Sequence, residues 1–128
     1  MTAPVYLILS ADSGVAALCG TRIYPAGIIP QEVVTFPTVV FQTVTGTAEN
    51  IQSGNAPADY ERIQIDCWDV SMAGADAMFA AVRTALENLP TIKALGCAAV
   101  LSNFNGDSYE SDTKRYKNST DWDFYLLR

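Results

Sequence analysis

The chain has 128 residues, 49% of them hydrophobic and 17% charged, and carries a formal net charge of −6. That is one domain's worth of chain, able to bury a core without metal or disulfide support, and it is too apolar for a disordered tail. Apolar stretches such as Gly96 to Leu101 fall well short of a bilayer span, and the eight basic residues are scattered, so neither membrane insertion nor wrapping by nucleic acid is expected.

Met1 to Leu9 holds no basic side chain and no cleavage pattern follows it, so the expectation is a protein made in the cytoplasm. Pro4 suits the first turn of a helix, where its missing N–H has no intrahelical partner to lose. Val5, Ile8 and Leu9, then Val15, Leu18 and Cys19, continue at helical spacing, so one helix is predicted, loosened at Gly14 and stopped at Gly20. Arg22-Ile23-Tyr24 then leads to Pro25 and an irregular stretch rich in Gly and Pro.

Phe36 to Val44 is rich in β-branched residues and reads as strand. Gly46, Glu49, Asn50, Ser53, Gly54, Asn55, Pro57 and Asp59 predict a polar linker over 46–59, of a length that is usually functional or disordered. Tyr60 to Asp69 resumes as strand, with Ile63, Ile65 and Cys67 on one face and Arg62, Gln64, Asp66 and Trp68 on the other. Ser71 then suits an N-cap, and Ala75, Met78, Phe79, Val82, Ala85, Leu86 and Leu89 form the apolar face of a helix that Pro90 ends. Arg83 and Glu87 lie one turn apart on its polar side. A strand from about Gly96 to Phe104, a polar loop over 105–118 and a strand from about Thr120 to Leu127 close the chain. The whole of 1–128 therefore reads as a single α+β domain: an antiparallel sheet of about four strands with helices packed on one face.

Histidine is absent, so the usual Ser-His-Asp and Cys-His arrangements cannot be built within this chain. Asp66 and Asp69 have opposite parity and point to opposite faces of a regular strand. Asp121 and Asp123 share a face, as a cation site needs, but the solvent side of an edge strand is the better account of them. Asn105-Gly106-Asp107 is turn chemistry without the downstream ligands of a calcium loop, and no phosphate-binding glycine motif occurs. Cys19, Cys67 and Cys97 are widely spaced among apolar neighbours and read as core thiols rather than a disulfide or zinc framework. No catalytic residue, cofactor or metal is expected, and the chain does not read as an enzyme.

Candidate contact residues come instead from surface decoration. If helices cover the Ile63 face, then Arg62, Gln64, Asp66 and Trp68 lie on the uncovered one, where an aromatic and an arginine suit a protein interface. A Trp covered by a neighbouring strand's side chains is the alternative. Trp122 shares a face with Phe124 and Leu126 and reads as core. The 46–59 excursion, with Glu49, Asn50, Gln52 and Asn55, and the 105–118 excursion, with Lys114 and Arg115, are natural arms for a partner. The triplet Lys114, Arg115 and Lys117 is flanked by Glu110, Asp112 and Asp121, which fits a solvated loop better than a nucleic-acid site.

The order of these landmarks carries a resemblance. Leu18-Cys19-Gly20-Thr21-Arg22-Ile23-Tyr24-Pro25 is followed by Phe36-Pro37-Thr38-Val39-Val40-Phe41 and by the strand Tyr60 to Trp68. The helix segment Val82-Arg83-Thr84-Ala85-Leu86 and the closing Asp121-Trp122-Asp123-Phe124 complete the set. In this order and spacing, over nearly the whole chain, the sequence resembles the tail-completion (tail-terminator) proteins of long-tailed bacteriophages. The resemblance implies a virion structural protein at the head-proximal end of the tail. It would stop tail-tube polymerisation as a homo-oligomeric ring, usually a hexamer, and join the tail to the head connector. Its partners would be itself, the tail-tube protein and the connector proteins, with DNA passing through without specific binding. A head-closure adaptor or tail-tube subunit of the same particle is the nearest alternative; a small-molecule-binding α+β domain is the alternative from another class.

Overall fold

The computed structural model describes residues 5–20, 22–25, 37–51, 54–88, 97–111 and 114–127. In chain order the elements are α1 (Val5–Ala11), α2 (Ser13–Cys19), β1 (Ile23–Tyr24), β2 (Thr38–Ile51), β3 (Gly54–Asp69), α3 (Met72–Leu86), β4 (Cys97–Glu110) and β5 (Arg115–Leu127). The five strands form one sheet in the order β1-β2-β3-β5-β4. Only β1 and β2 pair in parallel; the other neighbours are antiparallel. The expected α+β architecture holds, and the strand beyond the four expected is the two-residue β1.

Alternation along β3 decides which face is covered. Ile63, Ile65 and Cys67 point to the helices and are buried, together with their cross-strand neighbours Val39 of β2 and Trp122 of β5. Phe124 continues that row, and Val5, Ile8, Leu9, Val15, Met78, Val82, Ala85 and Leu86 cover it from the helical layer. Trp122 is fully buried, and its indole N–H donates to Thr120 Oγ1 at 3.0 Å while that hydroxyl donates to the Ile65 carbonyl at 3.2 Å. The indole N–H and the Thr120 hydroxyl under the helices are thus paired in sequence, as burial favours. Asn118 extends the thread by donating to Asp76 of α3 at 2.8 Å.

Helix starts follow local chemistry. Ser71 in extended conformation accepts from the Gly74 N–H at 3.1 Å and caps α3, as expected, and Arg83 pairs with Glu87 at 2.9 Å near its end. Gly74 sits so close to Asp69 that a Cβ there would overlap the carboxylate. The expected single N-terminal helix is in fact two. Asp12 takes extended φ/ψ, and its carboxylate accepts from the Val15 N–H at 3.0 Å, so it caps α2 and breaks the helix two residues before Gly14. Gly20 ends α2 at φ 59°, as its freedom at positive φ allows. Leu89 and Pro90, expected at the end of the α3 helix, lie outside the described residues.

Two expected loops are strand. Residues 46–51 and 54–59 continue β2 and β3 as a paired hairpin, with Ala48 opposite Asp59 and Ile51 opposite Gly54. Residues 105–110 and 115–118 likewise continue β4 and β5, with Asp107 opposite Asn118 and Glu110 opposite Arg115. Polar, glycine-rich composition suggested loops, but an antiparallel ladder satisfies backbone N–H and C=O groups whatever the side chains are. Asp112 and Thr113 lie outside the described residues; Lys114 occupies the turn at φ 57°.

Candidate assembly interface

The sheet face away from the helices is built by the second parity set of β3 and β5. Register places Trp68 beside Lys117, Asp66 beside Ser119, Gln64 beside Asp121, Arg62 beside Asp123 and Tyr60 beside Tyr125. Among these pairs Arg62 and Asp123 bring opposite charges together across the two strands. Lys117 Nζ lies 5.3 Å from the Trp68 ring centroid, within reach of a cation–π contact, and the Tyr60 and Tyr125 rings stand 5.7 Å apart.

The centre of this face is Asp123. Its Oδ1 accepts from Arg62 Nε at 2.9 Å and from Tyr60 Oη at 2.7 Å, while Arg62 Nη2 reaches Ser102 Oγ of β4 at 3.1 Å. Partial burial disfavours the ionised Asp123, but the hydrogen bonds from Arg62 and Tyr60 and the guanidinium charge together outweigh it. Its carboxyl is held below the ordinary range. Donation to Asp123 in turn raises the Tyr60 hydroxyl above its usual value. Asp121 accepts from Asn105 Nδ2 at 3.0 Å, and Gln64 Nε2 donates to both oxygens of Asp66, at 3.2 and 3.3 Å. Asp121 and Asp123 thus face neighbouring side chains, and among the described residues no group of three or more metal-ligating side chains is gathered.

The candidate contact residues separate into three places. Arg62, Gln64, Asp66 and Trp68 do share the face away from the helices, but Asp66 is largely buried and Trp68 half-buried. Glu49, Asn50 and Asn55 belong to the β2–β3 hairpin end; Gln52 lies outside the described residues. Lys114 and Arg115 begin the return from β4 into β5 at the end of the sheet opposite the β2–β3 hairpin, next to the Trp68 end of the first group. Sequence reading missed Asp123, Tyr60 and Ser102 as parts of one cluster. Parity put Asp123 on the correct face, but only register shows that Arg62 is its partner.

The three thiols are buried, and none is in a disulfide. Burial pushes the Cys67 thiol well above its ordinary value, with Asp66 and Cys19 adding to the effect. A hollow of about 230 Å³ lies between the N-terminal helices and the end of α3, lined by Ile8, Ala11, Asp12, Ser13, Ala85 and Asn88. Ligand pockets usually span about 300–1,000 Å³ with convergent polar groups. Here the one carboxylate already caps α2, so the hollow lends no support to a small-molecule site.

The fold is thus an α+β sheet covered by helices on one side, with a hydrogen-bonded polar network on the other. The chain belongs to the tail completion protein gp17 family, whose model matches residues 3–125, and it is accordingly a structural tail protein of bacteriophage type. A chain in the virion of the native gene transfer agent (GTA) particle has the same fold, with a TM-score of 0.70 and 19% sequence identity, over 97% of this chain and 92% of that one. No curated protein matches the sequence.

Proposed function

We propose that the chain completes the tail by capping the tail tube, ending its polymerisation and forming a ring, a hexamer on the family resemblance, that joins the tube to the head connector. The observation that carries this reading is the family match over residues 3–125. The fold shared with a virion chain supports it, as does the choice of decoration: aromatic and arginine side chains on an uncovered sheet face. Partners on this reading are other copies of the chain, the tube protein and the connector. The acidic balance suits a ring that DNA must slide through without sticking, since like charge disfavours binding.

Within the ring, the face bearing Arg62, Gln64, Asp66 and Trp68 contributes to contacts with neighbouring subunits or the tube, as do the hairpin ends that carry Glu49, Asn50 and Asn55 and Lys114 and Arg115. The test is functional completion. Tubes assembled with the chain present should stop at defined length and accept heads; tubes grown without it should run on and stay headless. Tubes of unchanged length that join heads equally well in its absence would reject the assignment.

A further inference from the structure

The distribution of charge among the strands is inverted. Edge strands of soluble monomers usually carry charges or proline, because their unpaired backbone would otherwise recruit another strand. Here the central strands hold most of the charges, Asp59, Glu61, Arg62, Asp66 and Asp69 on β3 and Arg115, Lys117, Asp121 and Asp123 on β5, against Glu49 on β2 and Asp107 and Glu110 on β4. The outer strand β4 has no charged residue or proline from Cys97 to Gly106. On the other side, β2 has none from Thr38 to Ala48, and β1 pairs it only at Val39 and Val40. Among the described residues nothing pairs with the outer side of β2 beyond that point.

Both bare edges also present apolar side chains to solvent. Val100, Phe104 and Tyr109 of β4 are exposed, Val100 at 55%, and Val44 of β2 is exposed at 53%. For a chain of net charge −6, two copies attract each other best where carboxylates are missing, and these edges are such places.

Register makes the two edges match. Cys97 lies level with Leu126, then Asp59, then Ala48 across the sheet; Val100 lies level with Asp123, Arg62 and Thr45. The run Cys97–Val100 is thus at the height of 45–48, and both runs are free of the irregularities that follow Leu101 and Thr43. Strand directions fit as well. β2 and β5 run one way and β3 and β4 the other, so β4 of one copy placed beside β2 of the next gives an antiparallel pair.

We infer that this protein self-associates head to tail, with Cys97–Val100 of one copy adding as a strand beside 45–48 of the next. A contact between two different surfaces propagates into a closed ring when its rotation permits, whereas a self-complementary contact stops at a dimer. The inference deepens the ring reading by naming the surface that closes the ring, and it is tested on the purified chain without tails.

Sedimentation velocity is run on the wild-type chain up to about 1 mM and on two double variants, with circular dichroism to confirm folding. Val44→Lys with Val100→Lys puts like charges at both edges, and association should weaken by at least about tenfold. Val44→Lys with Val100→Glu puts opposite charges across the joint, and association should recover and become salt-sensitive. Both sites are more than half exposed, so the monomer should tolerate them. Amide exchange on the wild-type oligomer is the second readout, with slowed exchange expected in 45–48 and 97–100. A wild-type monomer at the highest concentration overturns the inference. So do variants that associate like wild type, an opposite-charge pair that fails to recover, or an oligomer in which those amides stay unprotected. None of these outcomes bears on whether the chain terminates tubes, which the tube-length experiment decides separately.

Discussion

Gly74→Ala should reverse the usual sign of that substitution. Gly74 is the third residue of α3, and replacing glycine by alanine in a helix ordinarily stabilises by about 0.5–1 kcal/mol. Here the new Cβ overlaps the Asp69 carboxylate, which is largely buried and accepts from the Val70 N–H at 2.6 Å. The carboxylate must swing away, and losing a hydrogen bond to a charged group costs about 1.5–3 kcal/mol. The net expectation is a destabilisation of roughly 0.5–2.5 kcal/mol, the difference between those two effects. In an Asp69→Ala background the obstruction is gone, and Gly74→Ala should stabilise by about 0.5–1 kcal/mol. Urea unfolding of the four chains gives the coupling directly. Equal effects of Gly74→Ala in both backgrounds would refute the packing of α3 against the end of β3, and with it the assignment of the covered face.

Three further outcomes follow from the same geometry. Because the Asp123 pKa is depressed in the folded state, its contribution is fully present above the ordinary carboxylate pKa and is lost as pH falls through the folded value. The stability advantage of wild type over Asp123→Asn should therefore be greatest near neutrality and shrink in acid; urea titrations at several pH values would show it, and a pH-independent gap would count against the cluster. Cys67 should resist thiol-modifying reagents in the native protein and react only on unfolding, since burial keeps it protonated and covered; rapid native labelling would contradict its placement. Trp68→Ala should leave the monomer folded by circular dichroism yet weaken assembly, measured as the protein concentration needed to terminate tubes; an unchanged concentration would remove Trp68 from the contact face.

Periodicity revealed most of the core. Alternation in Tyr60 to Asp69 assigned Ile63, Ile65 and Cys67 to one face, and helical spacing after Ser71 assigned Met78, Val82 and Leu86, all of which are buried. Trp122 and Phe124 were legible for the same reason. Side-chain pattern says little where pairing is made by backbone: residues 46–59 and 105–118 look like loops by composition, yet most of each is ladder. The break at Asp12 was hidden because a capping carboxylate and an exposed helical one look alike until the backbone is seen. At the interface, parity found the face of Arg62 and Trp68, whereas the Arg62–Asp123 pair, 61 residues apart, needed register. The bare edges of β2 and β4 needed strand order, which short-range pattern does not carry.

The proposed place of this chain at one end of the tail tube is tested most directly by locating it there. Gold-labelled protein, carrying its tag on an exposed position such as Leu7 of α1, would be added to purified tails and to complete particles and imaged by electron microscopy. One focus per tail is expected, at the head-proximal end of the tube and at the head–tail joint of complete particles. Label spread along the tube, gathered at the far tip or confined to tail-less heads would contradict it.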